Sequence, residues 1–196
     1  MLHQVIFLDR DGVINRDSPD YIKALEEFEF LPGSLEALRR LTEHGFSCIV
    51  ITNQSALARG LLAEETLAAI HRHLVEAVAA AGGRILDVFI CPHLPSEECL
   101  CRKPKPGLLL DAQRKHQIDF SSAVMIGDSV KDMRCALAAG VKTCILVRTG
   151  NGTRAEGELK AQGIVADFIG EDLNQAADWI IRQMPGGSRR AVRNNP

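Results

Sequence analysis

"VIFLDRDGVIN", residues 5 to 15, joins two stretches that seldom sit side by side. Val5, Ile6, Phe7 and Leu8 form an unbroken run of β-branched and large apolar residues. Such a run, ended by turn formers, suits a strand buried on both faces, as in a parallel sheet. It stops on two carboxylates, Asp9 and Asp11, followed at once by Gly12. Two like charges about 4 Å apart repel by roughly 4 kcal/mol at an effective dielectric near 20. They therefore need a cation, a shared proton or separation by solvent. Magnesium is one fitting cation, since it takes about one or two carboxylates together with waters and phosphate. A turn or helix-capping role for Asp9 and Asp11 is the plainer alternative. Against it, "IGDSVKD", residues 126 to 132, repeats the pattern: Asp128 follows a second apolar run, and Asp132 stands one helical turn later.

On either side of these stretches the chain alternates short apolar runs with amphipathic segments. Strands are expected at "SCIVIT" (47–52), "DVFIC" (87–91), "AVMIG" (123–127) and "TCILV" (143–147), with a short one at "ADFI" (166–169). Helices are expected at "SLEALRRLTEHG" (34–45), starting on a cap-type Ser34, and at "AEETLAAIHRHLVEAVAAAGG" (63–83), closed by Gly82 and Gly83. Others follow at "PGLLLDAQRKH" (106–116), "DMRCALAAG" (132–140) and "LNQAADWIIRQM" (173–184). Strands separated by helices give βαβ units, so the expected fold is α/β and Rossmann-like, a mainly parallel sheet flanked by helices. Ligands bind such sheets beyond the carboxyl ends of the strands. Asp9, Thr52, Cys91 and Asp128 all fall at such ends.

The bulk composition narrows the field further. The 196 residues are 46% hydrophobic and 24% charged, with net charge −2 and an isoelectric point near 6.3. These values suit one globular domain over residues 1–184, and they predict no nucleic-acid or membrane partner. Residues 185–196 hold a small basic excess, Arg189, Arg190 and Arg193, among Gly, Ser, Asn and Pro; they are expected to be a disordered tail rather than a polyanion-binding arm. With no signal peptide and no apolar stretch of about 18 residues, the expected compartment is the cytoplasm. There the six cysteines are thiols or metal ligands rather than disulfides.

Three of the six cysteines and one histidine form a motif. Cys91, His93, Cys99 and Cys101 read C-x-H-x5-C-x-C, with Pro92 and Pro95 keeping the segment out of a helix. Three thiolates and one imidazole suit a closed tetrahedral zinc site, which is structural rather than catalytic. It would staple a loop, residues 91–101, and hold Arg102 and Lys103 beside the strand ends. Cys48, Cys135 and Cys144 read as small core residues. His44, His71, His73 and His116 read as surface or partly packed helix residues.

"DRDGV" (9–13), "TNQ" (52–54), "RKPKPG" (102–107) and "GDSVKD" (127–132) occur in the order and spacing of the haloacid dehalogenase superfamily, and the chain resembles its phosphatases over about residues 4 to 149. The resemblance implies that Asp9 is a nucleophile that becomes an aspartyl phosphate. It implies that Asp11 is an acid and base, and that Gly12 lets the chain turn sharply. Magnesium would be held by Asp9, the main-chain carbonyl of Asp11, and Asp128. Thr52, the main chain of Asn53, and Lys103 would bind the phosphoryl group, with Asp132 in support. No segment is long enough for a large cap domain, so loops must shape the pocket. Together with the zinc motif, this resembles the branch that acts on heptose bisphosphates, with histidinol-phosphate phosphatases as its neighbours. That branch implies a small sugar bisphosphate as substrate and Asn15, Asp17, Asn53, Gln54, Ser55, Arg59, Arg102 and Ser129 as its contacts. Ser129 stands where some members have lysine. A monomer is expected. The alternatives are a histidinol-phosphate phosphatase and an inactive zinc-stapled binding module; the presence of both Asp9 and Asp128 argues against the second.

Overall fold

The computed structural model of the chain describes Leu2 and residues 4 to 184; the expected tail lies outside the described residues. Six strands form a single sheet in the order β3-β2-β1-β4-β5-β6, every neighbouring pair parallel. They are β1 (Val5–Leu8), β2 (Ser47–Asn53), β3 (Ile85–Cys91), β4 (Val124–Gly127), β5 (Thr143–Val147) and β6 (Phe168–Gly170). The helices are α1 (Ser34–Glu43), α2 (Glu64–Ala80), α3 (Gly107–His116), α4 (Val130–Ala139), α5 (Gly152–Ala161) and α6 (Leu173–Gln183).

Alternation along β1 splits the core in two, because successive side chains on a strand point to opposite faces. Ile6 and Leu8 pack with Leu38, Leu41, Leu74 and Ile180 of α1, α2 and α6. Val5 and Phe7 pack with Leu109, Met133 and Leu159 of α3, α4 and α5. All four β1 residues have no exposed surface, which is why the run carries no polar residue. The strand order reverses direction between β1 and β4, and the crevice beyond their carboxyl ends is where such sheets bind ligands. Asp9 and Asp128 flank that crevice, and the Asp9 main-chain N–H donates to the Ile126 carbonyl at 3.0 Å.

Three details depart from expectation. Helix α5 covers "GTRAEGELKA", where no helix was expected; only Ala155 and Leu159 among its side chains are buried, too thin a stripe to register as a period. Ser34 is the first residue of α1 rather than its cap. That place belongs to Gly33, and the buried Ser34 hydroxyl has no hydrogen-bond partner among the described residues. Strand β3 begins at Ile85, two residues before "DVFIC". Between β1 and α1 the only helical element is a single 3-10 turn, Leu25–Glu27, so no large cap covers the strand ends.

Candidate active site

The loops after β1, β4 and β5 meet so closely that only glycine fits between them. Gly12 has φ +82°, and a Cβ there would lie 2.2 Å from Asp128 Oδ2; Gly150 has φ +58° and would place one equally close. These two bare positions let the main chain close around Asp128. The Asn151 main-chain N–H donates to Asp128 Oδ2 at 2.8 Å and its side-chain amide to the same oxygen at 3.3 Å. Burial first, and then the charge of Asp132, push the Asp128 carboxyl up to about 7, against the Asn151 hydrogen bonds.

Lys103 is the cation of the site. Its ammonium lies 2.9 Å from Asp9 Oδ1 and 2.6 Å from Asp132 Oδ1, and donates to the Ile51 carbonyl at 2.9 Å. Burial would pull the ammonium down, but Asp132 and Asp9 together hold it above its ordinary value, so it stays charged. The Asn53 side chain fixes the lysine's place: its Oδ1 accepts from the Lys103 N–H at 3.1 Å and its Nδ2 donates to the Lys103 carbonyl at 3.2 Å. Asp9 Oδ1 also accepts from the Arg10 main-chain N–H at 2.7 Å. Burial pushes the Asp9 carboxyl up, Lys103 opposes this, and Asp132, Asp128 and Asp11 add to the rise.

One ligand oxygen each from Asp9, Asp128 and Asp132 lie within 4.8 Å of one another. Three carboxylates share one lysine, and the neighbouring acids raise the Asp9 and Asp128 carboxyls, so the group suits a hard dication, which reverses that balance. Asp132 is the least free of the three, because its other oxygen accepts from the Ser129 hydroxyl at 2.6 Å and the Ser129 N–H at 3.1 Å as part of the α4 cap. The Asp11 side chain stands outside this group.

Asp11 is instead held by donors. Arg10 Nη2 reaches both of its oxygens, at 2.8 and 3.0 Å, and Arg10 Nε reaches Oδ1 at 3.1 Å. Asn15 Nδ2 and Gln54 Nε2 add bonds of 2.9 Å each, the latter shared with Thr52 Oγ1 at 2.9 Å. Burial alone would raise the Asp11 carboxyl, but the Arg10 charge and these hydrogen bonds hold it below its ordinary value.

The residues named from sequence converge on a cavity of about 420 Å³. Asp9, Asp11, Thr52, Lys103 and Asp128 line it, as do Asp17, Asn53, Gln54, Ser55, Arg59, Arg102 and Ser129. Asn15 does not. It has no exposed surface and stands behind Asp11, so it braces that carboxylate rather than meeting a substrate. Arg59 lies over the Tyr21 ring at 5.8 Å, and Arg102 donates to the His93 carbonyl at 3.2 Å. Arg10 and Asn151 were missed by sequence reading. Arg10 lies inside the quoted motif, but nothing local announces a buried arginine. Asn151 lies in a glycine-flanked turn whose partner, Asp128, is distant in sequence.

The second metal-type cluster adjoins the cavity. Cys91 Sγ lies 3.6 Å from Cys99 Sγ and 3.3 Å from Cys101 Sγ, with Cys99 and Cys101 3.4 Å apart. His93 Nδ1 is 3.6 Å from Cys91 Sγ and 3.3 Å from Cys101 Sγ. A tetrahedron with zinc–sulfur bonds of about 2.3 Å has edges of about 3.7 Å, close to these values. Burial and the neighbouring thiols push Cys101 up to about 12, the opposite of what a zinc-bound thiolate needs. A dication centred among the four supplies the missing charge, so the group could hold a structural zinc. Cys99→Ser is expected to weaken zinc binding by more than about 100-fold, beyond the loss of an outer hydrogen bond to a ligand. Its melting temperature should fall with it. Elemental analysis of protein purified without chelator checks the first and thermal melts the second; wild-type protein with no zinc would refute the assignment. Cys48, Cys135 and Cys144 are buried in the two halves of the core, as expected.

Residues 100–176 match the family model for HAD-hydrolase-like proteins. A D-glycero-beta-D-manno-heptose-1,7-bisphosphate 7-phosphatase of Bordetella bronchiseptica is 42% identical, across 92% of this chain and 99% of its own. One from Pseudomonas aeruginosa is 41% identical across 93% of this chain and 100% of its own. A crystal structure of D,D-heptose 1,7-bisphosphate phosphatase from B. bronchiseptica, complexed with magnesium and phosphate, superposes with a TM-score of 0.84 at 40% identity, covering 92% of this chain and 99% of that one.

Proposed function

Because the chain belongs to the haloacid-dehalogenase-like family of heptose-1,7-bisphosphate 7-phosphatases, we propose that it removes the C7 phosphate of D-glycero-β-D-manno-heptose 1,7-bisphosphate through an aspartyl phosphate. The observation that carries the chemistry is the Asp9 carboxylate beside the Lys103 ammonium, 2.9 Å away, both lining a polar cavity. A carboxylate oxygen of Asp9 attacks phosphorus. The bond from phosphorus to the C7 oxygen breaks, and that oxygen takes a proton from Asp11. Water then attacks the phosphoryl group, gives a proton to Asp11, and the Asp9 carboxylate is released with inorganic phosphate.

Anion meets anion in the first step, so positioning and charge neutralisation dominate. Lys103 supplies a fixed positive charge, and Thr52 with the main chain of Asn53 orients the phosphoryl oxygens. Asp9, the main-chain carbonyl of Asp11 and Asp128 would hold magnesium, which supplies further neutralisation of phosphoryl charge when bound. Asn151 keeps one Asp128 oxygen engaged and so orients the other. The zinc loop positions Arg102 through the His93 carbonyl. Among the described residues no helix is long and apolar enough to cross a membrane, and all six cysteines are unpaired.

The reading is tested by phosphate release from both heptose bisphosphate anomers, histidinol phosphate and fructose 1,6-bisphosphate. The β-heptose bisphosphate should have the highest kcat/KM; a preference for histidinol phosphate would refute the sugar assignment. Arg59 and Arg102 offer forked donors for the phosphate that is kept. One such contact is worth about 10- to 150-fold, so kcat/KM for the bisphosphate should exceed that for the 7-monophosphate by at least about tenfold. Arg59→Ala or Arg102→Ala should erase much of that advantage while sparing the monophosphate. Equal losses on both substrates would refute the anchoring role.

A further inference from the structure

Arg10 stands between the nucleophile and Asp11 in the chain, yet only 1% of its surface is exposed. A guanidinium is not buried cheaply; each of its N–H groups needs a partner. Nε and Nη2 face Asp11, and Nη1 faces His71 Nε2 at 3.1 Å. The Phe28 ring lies 5.8 Å below the guanidinium carbon. Arginine has donors and no acceptor, so His71 must offer the Nε2 lone pair. Its ring is therefore neutral, with the proton on Nδ1. Burial, and then the Arg10 charge, pull the ring down to about 4, against Asp11, which agrees.

The Asp11 carboxylate thus receives donors only, from Arg10, Asn15 and Gln54. Such a shell fixes the plane and direction of the carboxylate. A carboxylate oriented in this way is what the second half of the proposed reaction requires. We propose that Arg10 is a positioning residue that sets Asp11 as the base for hydrolysis of the aspartyl phosphate, and that His71, as a neutral acceptor on α2, holds Arg10 in that orientation. The inference rests on the aspartyl-phosphate mechanism proposed above. In the step concerned, the water oxygen bonds to phosphorus and its proton passes to Asp11. The bond from phosphorus to the Asp9 oxygen breaks, and its electron pair returns to that carboxylate.

4-Nitrophenyl phosphate separates the two halves, because nitrophenolate leaves without a proton. Its release in the first turnover reports phosphorylation of Asp9, and its steady-state release reports hydrolysis. The test uses zinc-loaded full-length enzyme with magnesium, as wild type, Arg10→Met, His71→Leu and His71→Gln. Arg10→Met and His71→Leu should slow the steady state by about 10- to 100-fold, the scale of a lost charge-assisted hydrogen bond, with first-turnover release changed less than about threefold. A burst should appear, and phosphorylated chain should accumulate in the mass spectrum. His71→Gln, whose side-chain oxygen can accept from Arg10, should stay within about threefold of wild type.

A merely structural histidine predicts the reverse order, since leucine fills an apolar pocket better than glutamine. If His71→Gln falls as far as His71→Leu, or if burst and steady-state rates fall together, the inference is overturned. Should Arg10→Met not fold, the His71 pair still decides. A wild-type enzyme that never yields phosphorylated chain would overturn the mechanism itself, and the inference with it.

Discussion

Asp9→Asn is expected to abolish turnover while leaving the fold intact. Asp9 follows β1 directly, and its Oδ1 is held by the Arg10 N–H at 2.7 Å and the Lys103 ammonium at 2.9 Å. Those contacts aim the carboxylate into the cavity, and an amide in its place is a poor nucleophile toward phosphorus. The loss in kcat should be about 10⁴-fold or more, as when other covalent enzymes lose their nucleophile. Stability should not suffer. Lys103 keeps Asp132 and the Ile51 carbonyl as partners, and the β1 residues that pack the core are unchanged. Burial and the neighbouring acids raise the Asp9 carboxyl. A raised carboxyl stabilises the fold while protonated and loses that contribution as pH rises through its folded value. Neutral asparagine avoids the loss, so without divalent cation the variant should melt no lower than wild type at neutral pH. Phosphate release and thermal melts provide the check. Appreciable activity in a sequence-verified preparation would sink the nucleophile assignment.

Lys103→Met should be damaging in both respects. Lys103 is 3% exposed and is the one ammonium between Asp9 and Asp132. Removing it leaves buried carboxylates facing one another, at a cost of about 3–5 kcal/mol. It also removes the fixed charge opposite the transferring phosphoryl group, worth about 10²- to 10³-fold in kcat. The pH dependence separates charge from packing. The lysine's folded pKa is raised, so its contribution is fully present below its unfolded value near 10.4 and does not fade toward neutral pH. Among the acids left behind, Asp9 and Asp128 are also raised, Asp128 to about 7. They regain stability as they take up protons. The melting gap between variant and wild type should therefore be wide at pH 8 and narrow toward about pH 5, where carboxyls of this kind are protonated. A gap that does not change with pH would show that Lys103 acts through its stem alone. Magnesium should narrow the gap at pH 8 without restoring turnover.

The sheet was legible in the sequence because its signals are local. Four adjacent apolar residues at Val5–Leu8 declare a strand with both faces covered, and no distant residue is needed to say so. The acids at strand ends were legible for the same reason, as was the zinc ligand set with its short spacing. Helix α5 was not, because Ala155 and Leu159 are too few to make a stripe, and the helix is held by what it lies against. Asn15 illustrates the limit from the other side. The family resemblance implied a substrate contact, but the chain turns at Gly12 and sends it behind Asp11.

Sequence by itself determined the strand ends, and it named Asp9 and Lys103 as candidate reacting groups and Cys91, His93, Cys99 and Cys101 as a set that could hold zinc. These are properties of residue type and short spacing, and a parallel sheet brings its strand ends to one edge in any strand order. Only the tertiary structure decided what each charge meets. Lys103 is fifty residues from the Asn53 side chain that clasps it, and Arg10 is sixty-one from the His71 ring that orients it. A hydrogen bond depends on ångströms and angles between atoms that the chain brings together only when it packs. Residue order records which groups exist; packing alone sets which of them are close enough, and dry enough, to hold one another in place.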